Sequence, residues 1–237
     1  GPMTPANDPV LAVAVRAART AASIIIDAAR DLKRLPTFSK EHGDIVSGAD
    51  MEAEDAIVAT LRAAFPEHAI LGEESGHIEG ARDGGGYKWI VDPLDGTVNF
   101  VHGFPYYAVS VALAHGTEIT HAVVLDPVHD ELFTAVQGRG AYCNGAPIHV
   151  STCLRLTDAL VGTVFPTREN PRLADYLPTI NALITIEVAA AANRYDRILV
   201  CFRIRRRLPR RSAGVRARDA SRVGVLMCGS FRMMRPG

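Results

Sequence analysis

The hydrophobic pattern of this chain changes its period at Pro66, and that change limits what the chain can build. Ahead of Pro66, apolar residues recur at helical spacing; beyond it they come in short runs between turn residues. Asp8-Pro9 reads as a helix start, with Asp as cap and Pro in the first turn. Val10 to Arg34 then predicts a long helix, with Leu11, Ala14, Val15 and Ala18 at helical spacing and Pro36 as its end. A polar loop is expected over Ser39 to Ser47. A second amphipathic helix follows from about Asp50 to Phe65, with Met51, Ala56, Ile57, Leu61 and Ala64 as its apolar members, and Pro66 stops it.

After Pro66 the text reads as strands. Ala69 to Leu71, Lys88 to Val91 (ending at Asp92), Tyr106 to His115, Ile119 to Leu125 and Leu132 to Val136 are the runs. Asn144-Gly145 is a two-residue hairpin signal between Ala141 to Cys143 and Pro147 to Val150. Ala159 to Val164 predicts a further strand and Pro171 to Ile184 a helix. Two helices and then consecutive strands predict an α+β fold, layered, with a largely antiparallel N-terminal sheet.

With 237 residues, nearly half of them hydrophobic, the chain is long enough for one large domain or two small ones. No apolar run is read as a membrane span or signal peptide, so a cytoplasmic protein with no membrane partner is expected. Cys143, Cys153, Cys201 and Cys228 form no C-x-x-C pair, and the eight histidines show no zinc-ligand spacing.

The chemistry is concentrated in Asp92-Pro93-Leu94-Asp95-Gly96-Thr97-Val98-Asn99-Phe100. Two carboxylates three residues apart at a strand end, stiffened by Pro93, offer hard oxygen ligands, and the Leu94 carbonyl adds another. Such a set suits Mg2+, which keeps waters and accepts phosphate oxygens. Gly96 and Thr97 open a short helix whose N–H groups suit a phosphate. Gly72-Glu73-Glu74-Ser75 follows the Ala69 to Leu71 strand; if that strand lies near Lys88 to Val91, Glu73 arrives beside Asp92. Alone, a D-x-x-D at a strand end is usually a solvated turn; with D-G-T and G-E-E in this order, a metal site is favoured. The Gly84-Gly85-Gly86 run next to Tyr87 reads as a surface loop.

Gly72 to Ser75 and Asp92 to Phe100 resemble the two signature motifs of the inositol monophosphatase family, closest to its bacterial inositol-1-monophosphatase branch. Asp44 to Asp50 and Asn99 to Val111 support the likeness, which covers about residues 8–183. The resemblance implies a layered α/β sandwich of the sugar-phosphatase type, a homodimer, and Mg2+-dependent hydrolysis of a phosphate monoester of a small polyol such as inositol 1-phosphate. Histidinol phosphate or a 3′-phosphorylated adenosine nucleotide is the alternative substrate. It further implies Glu73, Asp92, Asp95 and the Leu94 oxygen as metal ligands. Glu73 and Thr97 would activate the water, with Asp50 assisting. Asp95, Gly96 and Thr97 would hold the substrate, and Lys40 would lie in a mobile loop nearby. Val98 stands where many members have a second Thr.

The likeness breaks after about Thr185. Residues 186–237 carry 13 Arg, no Lys and three acids, which leaves the first 185 residues with an acidic excess of ten. The Trp-Asp motif and polyol-gripping residues of the family's C-terminal half are missing; Trp89 is the single tryptophan. A shifted reading frame, a basic tail for nucleic acid, and a solvated extension are the three readings of this segment. The expected organisation is a tag remnant (1–3), an N-terminal α+β metal-binding domain (4–150), the start of a C-terminal α/β domain (151–185) and an Arg-rich tail (186–237). With the C-terminal half truncated or replaced, weak or absent activity is expected; a crippled metal-binding remnant is the non-catalytic alternative.

Overall fold

In the computed structural model, residues 7–32, 40–81, 84–150, 161–163, 174, 176–178, 181 and 198–200 are described, with backbone alone at 40–47, 161–163 and 198–200. Residues up to 149 belong to one compact unit; a second unit lies within 150–203.

In the first unit two long helices, α1 (Pro9–Leu32) and α2 (Lys40–Ala64), precede the sheet. Asp8 starts α1 as the sequence predicts: its Oδ1 accepts the N–H groups of Val10 at 3.0 Å and Leu11 at 3.1 Å. Asp8 Oδ2 also accepts from Arg139 Nη1 at 3.0 Å, tying the helix start to the far end of the sheet's chain path. By length and composition α1 could cross a membrane, which the sequence reading did not anticipate. Here its apolar stripe (Leu11, Ala14, Ala18, Ala21, Ile25) is buried in the protein core.

α2 corrects the expected loop over Ser39 to Ser47, because the helix begins at Lys40 rather than near Asp50. Once Ala49, Ala53, Ile57 and Leu61 anchor one face in the core, each further residue adds a helical hydrogen bond at little extra cost. Lys40 is therefore in the first turn of a helix, not in a loop.

The sheet has eight strands: β1 (Ala69–Leu71), β2 (His77–Ile78), β3 (Tyr87–Asp95), β4 (Ala108–His115), β5 (Glu118–Asp126), β6 (Glu131–Val136), β7 (Ala141–Cys143) and β8 (Ala146–Ile148). Their spatial order is β2-β1-β3-β4-β5-β6-β7-β8. Every pairing is antiparallel except β1 with β3, so the largely antiparallel α+β sheet holds. β2 is a two-residue strand too short to leave a periodic signal. The Asn144-Gly145 turn forms as expected, both residues left-handed (φ 48° and 79°).

β4 is central and buried on both faces: Val109, Val111 and Leu113 join the helix-side core, while Ala108 packs with Val124 and Phe133 on the other side. On the helix side, Ile25, Ile57, Leu61 and Trp89 are fully buried, each aliphatic contributing about 1.5–3 kcal/mol by leaving water.

In the second unit, β9 (Val161–Thr163) pairs in parallel with β10 (Ile198–Val200). β9 lies inside the predicted Ala159 to Val164 strand. β10 was not anticipated: the Arg-rich composition around it masks a three-residue apolar run. Of the predicted Pro171 to Ile184 helix, residues 174, 176–178 and 181 are helical, and the remainder lies outside the described residues.

Candidate metal centre

The parallel pairing of β1 with β3 sets the site. Ile70 pairs with Trp89 and Leu71 with Ile90, so two residues further on Glu73 and Asp92 emerge at the same sheet end. Gly72 to Gly76 form the turn between β1 and β2, closed by Gly72 N–H donating to Gly76 O at 2.8 Å. Glu73 is exposed at its tip.

β3 does not stop at Asp92. It runs on to Asp95, which pairs with Ala108, and its register slips between the two acids. Pro93 has no N–H to give the ladder, so the slip falls there. Asp92 Oδ1 accepts the Leu94 N–H at 3.2 Å, and the Thr97 hydroxyl donates to Leu94 O at 3.0 Å. Gly96 is left-handed (φ 99°), and a Cβ there would meet Tyr106 O at 3.1 Å and Tyr107 Cα at 3.3 Å. Glycine therefore lets the chain turn into α3 (Thr97–Val101) close against Tyr106 and Tyr107, just ahead of β4. Val98 points out, 72% exposed.

These acids strain one another electrostatically. Asp92 is pushed up to about 9, first by burial, then by Asp95 and Glu73, with whose side chain it shares a hydrogen bond. Asp95 rises to about 7 through burial and the nearby Glu73. Asp50 also rises to about 7, through burial and the charges of Glu74, Glu73 and Glu54. Asp50 lies inside α2, not at its start as the sequence predicts. Its Oδ1 is buried with no hydrogen-bond partner.

A buried orphan oxygen among like charges is what a cation-binding set looks like without its cation. Among the described residues, no three acid, histidine or cysteine side chains close on one point as a full protein cage would. The donors come instead from two segments, the β1–β2 turn and the end of β3. That suits Mg2+, which retains waters and phosphate oxygens beside one or two carboxylates. Glu73, Asp92, Asp95 and the Leu94 oxygen are the residues able to hold it. Lys40 contributes only its backbone to the described structure.

Glu54, one turn beyond Asp50, was missed by sequence reasoning. It is 2% exposed and accepts the backbone N–H groups of Glu74 at 2.9 Å and Ser75 at 2.7 Å. The signal was present: an acid flanked by Ala53 and Ile57 within the buried stripe of an amphipathic helix.

The raised acids have a consequence for stability. In the unfolded chain they lose protons near pH 4; in the fold they keep them to about 7 to 9. Between those values folding takes up protons, so stability falls as pH rises. The melting temperature of metal-free protein is expected to drop from pH 5 to 9. Mg2+ must displace those protons, so its stabilising effect is expected to be larger at pH 8.5 than at pH 5.5. Calorimetry at the two pH values checks this, and equal Mg2+ shifts would contradict it.

A mixed sheet with paired acids at one end, backed by two helices, defines the layered α+β architecture of sugar phosphatases. The chain belongs to the inositol monophosphatase family, which it matches over residues 6–197. It is 45% identical over 206 residues to the Nus factor SuhB of Pseudomonas aeruginosa, covering 79% of this chain and 75% of that protein. To the Nus factor SuhB of Escherichia coli (strain K12) it is 37% identical over 175 residues, covering 74% and 65%. Among solved structures, the extragenic suppressor protein suhB of Bartonella henselae superposes with a TM-score of 0.64 at 36% identity, covering 75% of this chain and 66% of that one. The inositol monophosphatase of Anabaena (Nostoc) sp. PCC 7120 gives a TM-score of 0.58 at 33% identity, covering 70% and 60%. The chain thus spans about two thirds of the length of most of these relatives. The family match ends well past residue 183, where the sequence motifs alone stopped supporting it.

Proposed function

We propose that this chain is a Mg2+-dependent phosphomonoesterase acting on a small polyol phosphate, inositol 1-phosphate first, at a rate below that of full-length members of its family. The observation that carries this reading is the meeting of Glu73 from the β1–β2 turn with Asp92 and Asp95 from β3. Glu73, Asp92, Asp95 and the Leu94 oxygen would hold the metal. When bound, Mg2+ supplies Lewis-acid polarisation of the phosphoryl group and eases deprotonation of water.

The protein's own groups do the rest. The Thr97 hydroxyl spends its proton on Leu94 O, which leaves its lone pairs to accept a hydrogen bond from the attacking water. The Glu73 carboxylate takes the water's proton, with Asp50 behind it as a further carboxylate. Gly96 and Thr97 seat the phosphate at the start of α3, and Asp95 also faces the substrate. By family likeness the protein acts as a homodimer in the cytoplasm.

A second reading follows from the names of the relatives: 45% identity to a Nus factor makes a Nus-factor role possible for this chain, with or without hydrolysis. Nucleic-acid contact through residues 186–237 belongs to that reading.

A substrate panel tests the first. Inositol 1-phosphate, histidinol phosphate and a 3′-phosphoadenosine nucleotide are offered with Mg2+, and phosphate release is measured. The highest kcat/KM is expected for inositol 1-phosphate. Folded, Mg2+-saturated protein that releases phosphate from none of them rules the reading out. Salt-sensitive nucleic-acid binding that disappears on deleting residues 186–237 would favour the second.

A further inference from the structure

Apart from the hydrogen bond it shares with Asp92, Glu73 has little of its own to hold it. It is exposed at the tip of a turn, and β2, the strand beyond, pairs with β1 through only Ile70–Ile78 and Leu71–His77. So short a ladder does not fix a turn tightly. What reaches the turn from outside is Glu54 of α2. Both of its carboxylate oxygens are used, Oε2 on Glu74 N–H at 2.9 Å and Oε1 on Ser75 N–H at 2.7 Å. These are the two residues that directly follow Glu73.

Gly72, just before Glu73, is shaped around the same carboxylate. A Cβ there would fall on Glu54 Oε1 and within 2.6 Å of Glu54 Cδ and Ser75 Oγ. The turn and the buried acid are therefore fitted to each other on both sides of Glu73.

We propose that Glu54 is a positioning residue that locks the β1–β2 turn so that Glu73 is held against Asp92 and Asp95. Glu54 touches neither substrate nor metal; it acts through the backbone of Glu74 and Ser75. From the same face of α2, Asp50 reaches the site one turn earlier, so a single helix sets the height of both the turn and Asp50. The turnover part of this inference rests on the phosphatase reading above; the metal-binding part does not.

The test compares wild type with Glu54→Gln, which keeps the shape but offers one acceptor in place of two. Circular dichroism is expected to show an intact fold. Calorimetric Mn2+ affinity is expected to fall by about 10–100-fold, as for other residues that orient metal ligands. The kcat for inositol 1-phosphate is expected to fall by a similar factor, with KM within about threefold. A merely structural anchor would lower stability without this split. Gly72→Ala, which crowds the carboxylate from the other side, is expected to reproduce the Mn2+ loss, and it decides the matter if Glu54→Gln does not fold. A folded Glu54→Gln protein that binds Mn2+ within about twofold of wild type overturns the inference. Wild type that binds Mn2+ and cleaves no monoester overturns the phosphatase reading instead, and the Mn2+ comparison still stands.

Discussion

Asp92→Asn is expected to yield a protein more stable than wild type without metal and nearly inactive with it. Asn keeps the shape, and its oxygen can go on accepting the Leu94 N–H at 3.2 Å. Its amide N–H adds a donor for Glu73, whose side chain already shares a hydrogen bond with Asp92. The like-charge opposition from Asp95 and Glu73 disappears. After solvent screening the relief is on the order of 1 kcal/mol, a rise of roughly 2–4 °C in melting temperature for a chain of this size. The gain grows with pH, because the wild-type carboxyl is held protonated up to about 9 at mounting cost. Turnover is expected to fall by about 10²–10³-fold or more if Asp92 holds the metal as proposed above. Stability measured at pH 6 and 8.5 together with Mg2+-dependent kcat/KM checks both halves. A less stable variant at pH 8.5, or one that keeps turnover within about tenfold, would show that Asp92 is an ordinary turn residue. The predicted gain in stability would show a candidate site that costs stability, with neutralisation of one acid giving it back.

Trp89→Ala is expected to produce the largest loss of stability. Trp89 is 0% exposed on β3, between Lys88 and Ile90 and three residues ahead of Asp92. Its ring lies 5.6 Å from Phe65 and 6.2 Å from His68, both tilted. Removing it opens a cavity under the strand that carries the acids, at about 3–5 kcal/mol. That is roughly 6–20 °C in melting temperature. Trp89→Phe is expected to cost much less than the lost volume suggests. The indole Nε1 is buried with no hydrogen-bond partner, and an unsatisfied donor of this kind carries a penalty of about 1–3 kcal/mol that phenylalanine removes. Urea unfolding of the two variants decides; equal destabilisation would mean that the indole N–H is satisfied in solution.

The helices, most strands and the Asn144-Gly145 turn were legible because each rests on local chemistry: apolar period, prolines, and a turn that demands positive φ. The acids of the candidate site could be singled out for a related reason. Asp92, Asp95 and Thr97 lie within six residues, and one turn of chain suffices to bring them together. The start of α2 at Lys40 was not legible, because Lys40 to Ser47 has no apolar stripe and is helical by extension from Ala49 onward. β2 and β10 were too short to read.

Glu54 marks the boundary between the two kinds of information. Residue types and their spacing were enough to point to a candidate cluster of hard oxygen ligands beside a tight turn, because Asp92, Asp95 and Thr97 lie in one short segment. Only the tertiary structure decided that β1 runs parallel to β3, which delivers Glu73 to Asp92. It also decided that a buried acid twenty residues earlier would hold Glu74 and Ser75. Contacts between residues far apart in the chain depend on how helix and sheet pack, and no local period records that.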